Sequence, residues 1–411
     1  MENQVGFTLE KEKTSIITYI VFVLTLAVVV ISLVSLFFPS LIVVLVSGSE
    51  IQENPFEVGP WLAPFLAINL FLLVFGILYY TKKLPQIIPN SIQYILNFEI
   101  STNVTAIVFT VILFGYVALT MNELSIPEEL IFGDYDRVKE VVEKWPVEES
   151  IDKDLMDRHI TNFFLKASLV LFQNMNVIPF IASIAFLALT YFITVKITKK
   201  RFAGIVAMLI LFQSFTFYSF DTLVSYPNFW ALFYLLSLYL MYSRWQLSPV
   251  SYIASIFSKA LTAPFLPMLL FFTYRAEIPR RKKVYIVISY AVVAVVAVAI
   301  VLVANINLGG GINKTGLVFD WIDFWLGFTA WSAQLRFDGL FLLLVLPVTV
   351  GLYIISRKGM AVADAIIVQI VGIILVMPLM SAMTSFDLHP YRYVPLVGFF
   401  AIGVGTLLKK N

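Results

Sequence analysis

Residues 177–201 read VIPFIASIAFLALTYFITVKITKKR. The segment is almost entirely apolar up to Lys196 and ends in the basic group Lys199, Lys200 and Arg201. An apolar run of about 20 residues matches a bilayer core of about 30 Å, and loops rich in Lys and Arg stay on the cytoplasmic side. The segment therefore predicts a helix that crosses a membrane and ends on its cytoplasmic face.

The composition of the whole chain agrees with this interpretation. Of its 411 residues, 60% are apolar and 13% are charged, and the mean hydropathy is +0.90. A soluble globular chain has about 25% charged residues and about 45–50% apolar ones. These values exclude a soluble enzyme and a disordered chain, and we expect no nucleic-acid partner.

The metal-binding residue types are scarce. The chain has no cysteine, and His159 and His389 are its only histidines. This excludes an Fe–S cluster, Cys-ligated zinc, a bis-His haem pair repeated through a bundle, and a His-rich copper or di-iron site.

Further apolar segments bring the expected number of full spans to about ten. They lie at 15–38, 60–80, 103–121, 202–219, 226–243, 284–305, 338–356, 361–380 and 391–408. The stretch 249–274 is also apolar, but Ser258-Lys259, Pro264 and Pro267 interrupt it. It predicts a short re-entrant hairpin, because irregular backbone at membrane depth requires cover from protein or a wet cavity.

The basic residues predict the topology. They concentrate in short connections at 82–83, 196–201, 275–283, 357–358 and 409–410, which the positive-inside rule places in the cytoplasm. With the hairpin counted as entering and leaving on that side, both termini are cytoplasmic. We therefore expect an all-α polytopic membrane protein with a single transmembrane domain over 1–411, in the plasma membrane if the organism is a prokaryote.

The connections on the outer face are longer and acidic. The loop 122–158 is dense in Asp and Glu, and within it 134–145 has one apolar helical face. The segment 159–174 is short and partly polar, which predicts an interfacial helix at the outer surface. A second outer loop, 306–337, is expected to fold over the outer mouth of the helices.

Asp134 and Asp136 are the first candidate site residues. Two carboxylates at this spacing suit a general base, and Asp134 also suits a metal ligand. The alternative is helix capping, because Asp134 stands at the expected N-cap and Asp136 in the first turn. Both interpretations remain open from the sequence.

Basic residues on the outer side are the second group of candidates. Lys259 is the strongest candidate among them. Inserting a lysine into the membrane within an apolar hairpin costs free energy, so the residue needs a partner or a function. It could hold an anion such as a lipid phosphate, reach the membrane surface, or pair with Asp221. His159 and Arg336 are further candidates on this side, and Asp221 could equally belong to a short outer turn.

The last candidates stand together in His389-Pro390-Tyr391-Arg392-Tyr393. Arginine binds phosphate through two parallel hydrogen bonds. Tyrosines are enriched at membrane interfaces, so an aromatic anchor is the alternative for this segment.

Taken in order, these pieces resemble the GT-C class of membrane glycosyltransferases, the superfamily of protein mannosyltransferases and lipid A aminoarabinose transferases. The resemblance rests on FGDYD at 132–136 in the acidic-pair position, on the short-looped spans of 176–245, on Ser258-Lys259 at the Thr-Lys step, and on HPYRYVPLVGFFAIGVGTLL at 389–408. It covers about residues 105–275 and the C-terminal segment, and an extra helix pair at 15–80 precedes it.

The resemblance implies a sugar transfer on the outer face, from a polyprenyl-phosphate donor to a lipid, glycan or protein acceptor. Asp134 would be the base or the ligand of a divalent cation such as Mg²⁺ or Mn²⁺, with Asp136 beside it. The donor phosphate would be held by Lys259, His389 and Arg392, with Arg336 as a further contact.

Two other functions fit the composition. One is a non-catalytic integral subunit of a larger complex, and the other is a lipid or solute transporter. Transporters usually carry broken helices in both halves of a repeat, whereas this sequence has one interrupted hairpin.

Overall fold

A computed structural model describes residues 16–47, 54–126, 134–145, 158–303, 319–383 and 389–409. Within these ranges the chain is helical and contains no β-strand, so the prediction of an all-helical chain is confirmed. The predicted loop segments 127–133, 146–157 and 306–318 lie outside the described residues.

The helices are numbered in chain order. They are α1 Ile16–Phe37, α2 Pro39–Ser47, α3 Leu62–Tyr80, α4 Ile87–Asn97, α5 Thr102–Thr120, α6 Tyr135–Lys144, α7 His159–Phe172, α8 Val177–Thr198, α9 Arg201–Phe212, α10 Phe215–Tyr218, α11 Phe229–Ser243, α12 Ser248–Ser258, α13 Leu266–Arg275, α14 Arg280–Val303, α15 Trp321–Gln334, α16 Gly339–Arg357, α17 Val362–Met383 and α18 Val394–Thr406.

Six helical segments in the described part of the chain are long and apolar enough to cross a membrane: Ile16–Phe37, Leu62–Tyr80, Thr102–Ser125, Val177–Thr198, Gly339–Arg357 and Val362–Met383. They coincide with six of the ten predicted spans. The chain therefore has the helices of a multi-pass membrane protein.

The other predicted spans differ in length. The span predicted at 202–219 ends as α9 at Phe212, because Ser214 starts α10 by accepting a hydrogen bond from the Phe217 amide at 3.2 Å. Residues 390–393 form a 3₁₀ turn, and α18 begins only after it. α11 and α14 cover most of the spans predicted at 226–243 and 284–305.

The basic loops meet at one end of the bundle, which we call the basic end. Lys200 Nζ donates to the carbonyl oxygens of Leu96 at 2.8 Å and Leu408 at 3.1 Å. Lys409 pairs with Glu277 at 3.3 Å. The loops after α4, α8, α13 and α18 are thus neighbours, as the predicted topology requires.

The opposite end, which we call the site end, is closed by polar contacts between other loops. Asn174 donates to the carbonyl oxygen of Leu124 at 2.9 Å, and Asn176 donates to that of Thr222 at 3.0 Å. These bonds join the ends of α5 and α7 to the loop that follows α10. The sequence candidates discussed below lie at this end.

The interrupted segment 249–274 folds as α12, a 3₁₀ turn at Ala260–Phe265 and α13. Ser248, Ser251 and Ser255 of α12 donate to carbonyl oxygens of α11 at 2.6–2.8 Å. Small residues at this repeat let two helix backbones approach closely. α12 therefore runs along α11 from the basic end towards the site end, and Lys259 follows its last residue there.

Part of the predicted outer loop 306–337 is the helix α15, which packs against α1, α2 and α17. A Cβ on Gly327 would lie 2.6 Å from the Cα of Pro378, so glycine permits this close packing. The loop prediction missed this helix, because its glycine and its polar flanks are typical of connections.

Candidate functional site

Tyr391 is the centre of a group of aromatic and charged side chains at the site end, and it is 2% exposed. Lys259 Nζ donates a hydrogen bond to its hydroxyl oxygen at 2.7 Å, and Arg392 Nε donates to the same oxygen at 3.3 Å. The Lys259 nitrogen also lies 4.0 Å from the ring centroid. Two cations from distant parts of the chain therefore meet at one phenol.

A second tyrosine extends this group to the acidic helix α6. The rings of Tyr226 and Tyr391 are stacked, with centroids 4.2 Å apart and planes 14° from parallel. Tyr226 donates its hydroxyl hydrogen to Asp134 Oδ2 at 2.5 Å. Burial and the Asp134 carboxylate both raise the pKa of Tyr226, so the hydroxyl keeps the proton that it donates. His389 stacks beside both tyrosines, 5.9 Å from Tyr226 and 5.8 Å from Tyr391.

We call Asp134, Tyr226, Lys259, His389, Tyr391 and Arg392 the tyrosine cluster. Its members range from open to enclosed: Asp134 and His389 are exposed, Tyr226 and Lys259 are partly buried, and Arg392 is only 3% exposed. The Asp134 carboxylate and the His389 imidazole are therefore accessible at the surface of the cluster, whereas the Arg392 guanidinium is buried within it.

Short irregular segments hold the cluster in position. Lys259 follows α12 directly, and the turn after it is fixed by Tyr252, whose hydroxyl donates to the carbonyl oxygens of Thr262 and Ala263 at 3.0 and 2.8 Å. Thr161 of α7 donates to the carbonyl oxygen of Ser258 at 3.0 Å. Hydrogen bonds therefore fix the backbone on both sides of Lys259.

Asp134 stands at the N-cap of α6, as the capping interpretation expects. Its side chain, however, makes no capping hydrogen bond, and its backbone (φ −79°, ψ −12°) is helical, whereas a capping residue is typically extended. The carboxylate binds Tyr226 instead. Asp136 is exposed in the first turn of α6, and no described hydrogen bond joins it to the cluster.

Lys259 and Asp221 do not form the pair that the sequence left open. Asp221 is fully buried, and Tyr116 donates to its Oδ2 at 2.6 Å. Ser183 donates to the Asp221 carbonyl oxygen at 2.8 Å, and Asn228 donates to Ser183 at 3.1 Å. Asp221 therefore anchors the loop that carries Tyr226 to α5 and α8.

No described contact joins His159 or Arg336 to the cluster. The His159 ring is 6.3 Å from that of Phe257, next to the hairpin, and its Nε2 is buried without a hydrogen-bond partner in the described part of the chain. Arg336 is exposed, with its guanidinium 4.9 Å from the Phe337 ring centroid. Of the predicted phosphate ligands, the structure brings together Lys259, His389 and Arg392, and no described contact adds Arg336 to them.

Asp221 gives a prediction on pH. Burial raises the pKa of its carboxyl from 3.8 to about 8. Between these values the folded chain holds a proton that the unfolded chain has released, so stability falls as pH rises, by up to about 1.4 kcal/mol per pH unit. Asp221→Asn, which resembles the protonated acid, is expected to flatten this slope.

The measurement is the melting temperature of both proteins in detergent at pH 5, 6, 7 and 8. Wild type should lose more stability than Asp221→Asn over this range, and the two should differ least at pH 5. Parallel curves would contradict a buried, protonated Asp221.

The divalent cation stays a prediction. In the described ranges no three His, Cys, Asp or Glu side chains group together as a metal site. Mg²⁺, however, often uses only one or two protein carboxylates together with substrate phosphate and water. The exposed Asp134 fits that limited demand as a single carboxylate ligand.

In comparisons of sequence and structure, no protein-family model, curated protein or solved structure matches this chain.

Proposed function

We propose that the protein is a membrane glycosyltransferase that moves a sugar from a polyprenyl-phosphate donor to a hydroxyl of a lipid, glycan or protein acceptor at the site end. The observation that supports this most is the tyrosine cluster. It gathers an exposed carboxylate and three basic side chains from three separate parts of the chain.

The basic side of the cluster suits the donor. A polyprenyl-phosphate sugar places its phosphate at the membrane surface, where Lys259, His389 and Arg392 stand together. Negative charge grows on this phosphate as the sugar leaves. Fixed cations in a partly dry site stabilise such charge more than water does, and Arg392 is nearly buried.

The acidic side suits the acceptor. The acceptor hydroxyl oxygen attacks the anomeric carbon and forms the new glycosidic bond, while the bond from that carbon to the phosphate oxygen breaks. The electron pair of the broken bond stays on polyprenyl phosphate. The hydroxyl proton passes to Asp134, which is exposed and oriented by Tyr226.

In the alternative role that the resemblance implies for Asp134, its carboxylate would hold a divalent cation, which would neutralise charge on the donor phosphate. The two tyrosines act by position. Tyr391 keeps the Lys259 ammonium and the Arg392 guanidinium at one place, and the Tyr226 hydroxyl orients the carboxylate.

A thermal-shift titration tests the donor site. A ligand that binds only the folded state raises its stability by RT ln(1 + [L]/Kd). Polyprenyl phosphate is expected to raise the melting temperature, and uncharged polyprenol of the same length is expected to raise it less. Lys259→Met, which keeps the apolar stem and removes the charge, should weaken phosphate binding by about tenfold or more, as expected for the loss of one charged hydrogen bond.

Lys282→Met is the matched control, because Lys282 is exposed at the basic end. It should leave the titration unchanged. Equal shifts from the phosphate and the alcohol, or an unaltered titration in Lys259→Met, would contradict a lipid-phosphate site in the cluster.

A further inference from the structure

A separate cavity of about 200 Å³ opens at the site end between α9, α16 and α18. Its lining includes the aromatic residues Phe337, Phe341 and Phe400 and the polar residues Gln213, Ser214 and Asp338. Asp338 is the only charged residue among the lining residues. The cavity holds none of the residues of the tyrosine cluster.

Asp338 is an enclosed carboxylate, 5% exposed. Both of its described hydrogen bonds reach Oδ2 and come from Thr216, from the amide at 2.9 Å and from the hydroxyl. In the described part of the chain no Lys, Arg or His forms an ion pair with it. A carboxylate removed from water in this way is stabilised by a cation.

The aromatic walls favour one kind of cation. The faces of Phe rings attract ammonium groups, and the attraction grows when water is excluded. A cavity that combines three such rings with one carboxylate suits an organic ammonium, which donates hydrogen bonds to the carboxylate and lays its carbons against the rings. Gln213 and Ser214 offer further acceptors at the same wall.

The surroundings of the opening indicate where this ammonium comes from. Phe337, Leu340 and Phe215 expose 58%, 38% and 49% of their surfaces around it. In a helical membrane protein such apolar side chains face lipid. The exposed guanidinium of Arg336 stands beside Phe337, where it can bind a phosphate.

We propose that this cavity binds the headgroup of an ethanolamine phospholipid from the adjoining leaflet. The primary ammonium enters the cavity and bonds to Asp338, and the lipid phosphate stays at the rim near Arg336. This site is distinct from the proposed donor site, and its occupancy does not depend on sugar transfer.

The experiment titrates the full-length chain in detergent with short-chain phosphatidylethanolamine, phosphatidylglycerol, phosphatidylcholine and ethanolamine alone, and follows the melting temperature. Phosphatidylethanolamine is expected to give the largest shift. Asp338→Asn should weaken it by at least about tenfold, as for the loss of a charged hydrogen bond. This variant keeps an oxygen that accepts from Thr216, so the loop retains its anchor.

Two further variants keep the test decisive. Asp323→Asn removes an exposed carboxylate at the same end and should change nothing. Phe337→Leu alters an exposed ring without touching the carboxylate, and should weaken binding by about two- to fivefold if that ring contacts the ammonium. If Asp338→Asn fails to fold, the Phe337→Leu titration tests whether the cavity binds the ammonium.

Equal shifts from phosphatidylethanolamine and phosphatidylglycerol would overturn the proposal. So would an unchanged titration in Asp338→Asn, or in Phe337→Leu if only that variant folds. If phosphatidylcholine binds as tightly as phosphatidylethanolamine, the cavity does not select a primary ammonium. If ethanolamine alone binds as tightly, the ligand is not a lipid headgroup.

Discussion

Replacing Asp134 with asparagine is expected to lower the rate of sugar transfer by about 10²–10⁴-fold, the usual contribution of a general base. The asparagine side chain keeps an oxygen that can accept the hydrogen bond of Tyr226, so the position of α6 should be preserved. The amide cannot take the proton of the acceptor hydroxyl. The measurement is the initial rate of transfer from a polyprenyl-phosphate sugar, with expression and melting temperature recorded alongside.

Two variants of the same helix sharpen this result. Glu140→Gln makes the same chemical change on an exposed residue that pairs only with Lys144 among its described contacts, and it should leave the rate unchanged. Asp136→Asn separates the two candidate carboxylates, because no described hydrogen bond holds Asp136 in the tyrosine cluster. Full activity in Asp134→Asn would contradict a role for Asp134 in the reaction. If Asp136→Asn loses more activity than Asp134→Asn, Asp136 is the general base.

The long helices could be predicted from the sequence because a span has a simple physical signature, an apolar run of sufficient length. The prediction failed where that signature is ambiguous. Residues 202–219 carry no charge, yet the Ser214 side chain bonds to the backbone and separates α9 from α10. α15 is missed for the opposite reason, since its polar neighbours hide a helix that packs between other helices.

The charged members of the candidate site were predictable, and their connection was not. A lysine in an apolar hairpin, or an arginine near the end of a span, stands out against a chain with 13% charged residues. Tyr226 does not stand out, because 15% of the residues are aromatic. Its role depends on stacking with a residue that is far away in sequence. Only the position of Tyr226, in the same loop as Asp221, could have drawn attention to it.

Removing one partner of the buried pair Arg275–Asp364 is expected to lower the free energy of unfolding by about 3–5 kcal/mol. The Asp364 side chain is fully buried in α17, and that of Arg275, at the end of α13, is 11% exposed. Thr18 of α1 donates to Asp364 at 2.7 Å and accepts from Arg275 at 2.9 Å. The pair therefore joins three helices at the basic end, and Asp364→Leu would leave an unpaired guanidinium among them.

The double variant Arg275→Met/Asp364→Leu should recover most of the loss, because apolar residues of similar volume often replace a buried ion pair at little net cost. Unfolding by denaturing detergent in mixed micelles gives the four free energies, and their difference isolates the coupling. Lys409→Met supplies the comparison, since it breaks a more exposed pair with Glu277 at the same end and should cost less than about 1 kcal/mol. If the losses from the two single variants simply add in the double variant, the coupling is zero, and the stability of this junction comes from helix packing rather than from the charge pair.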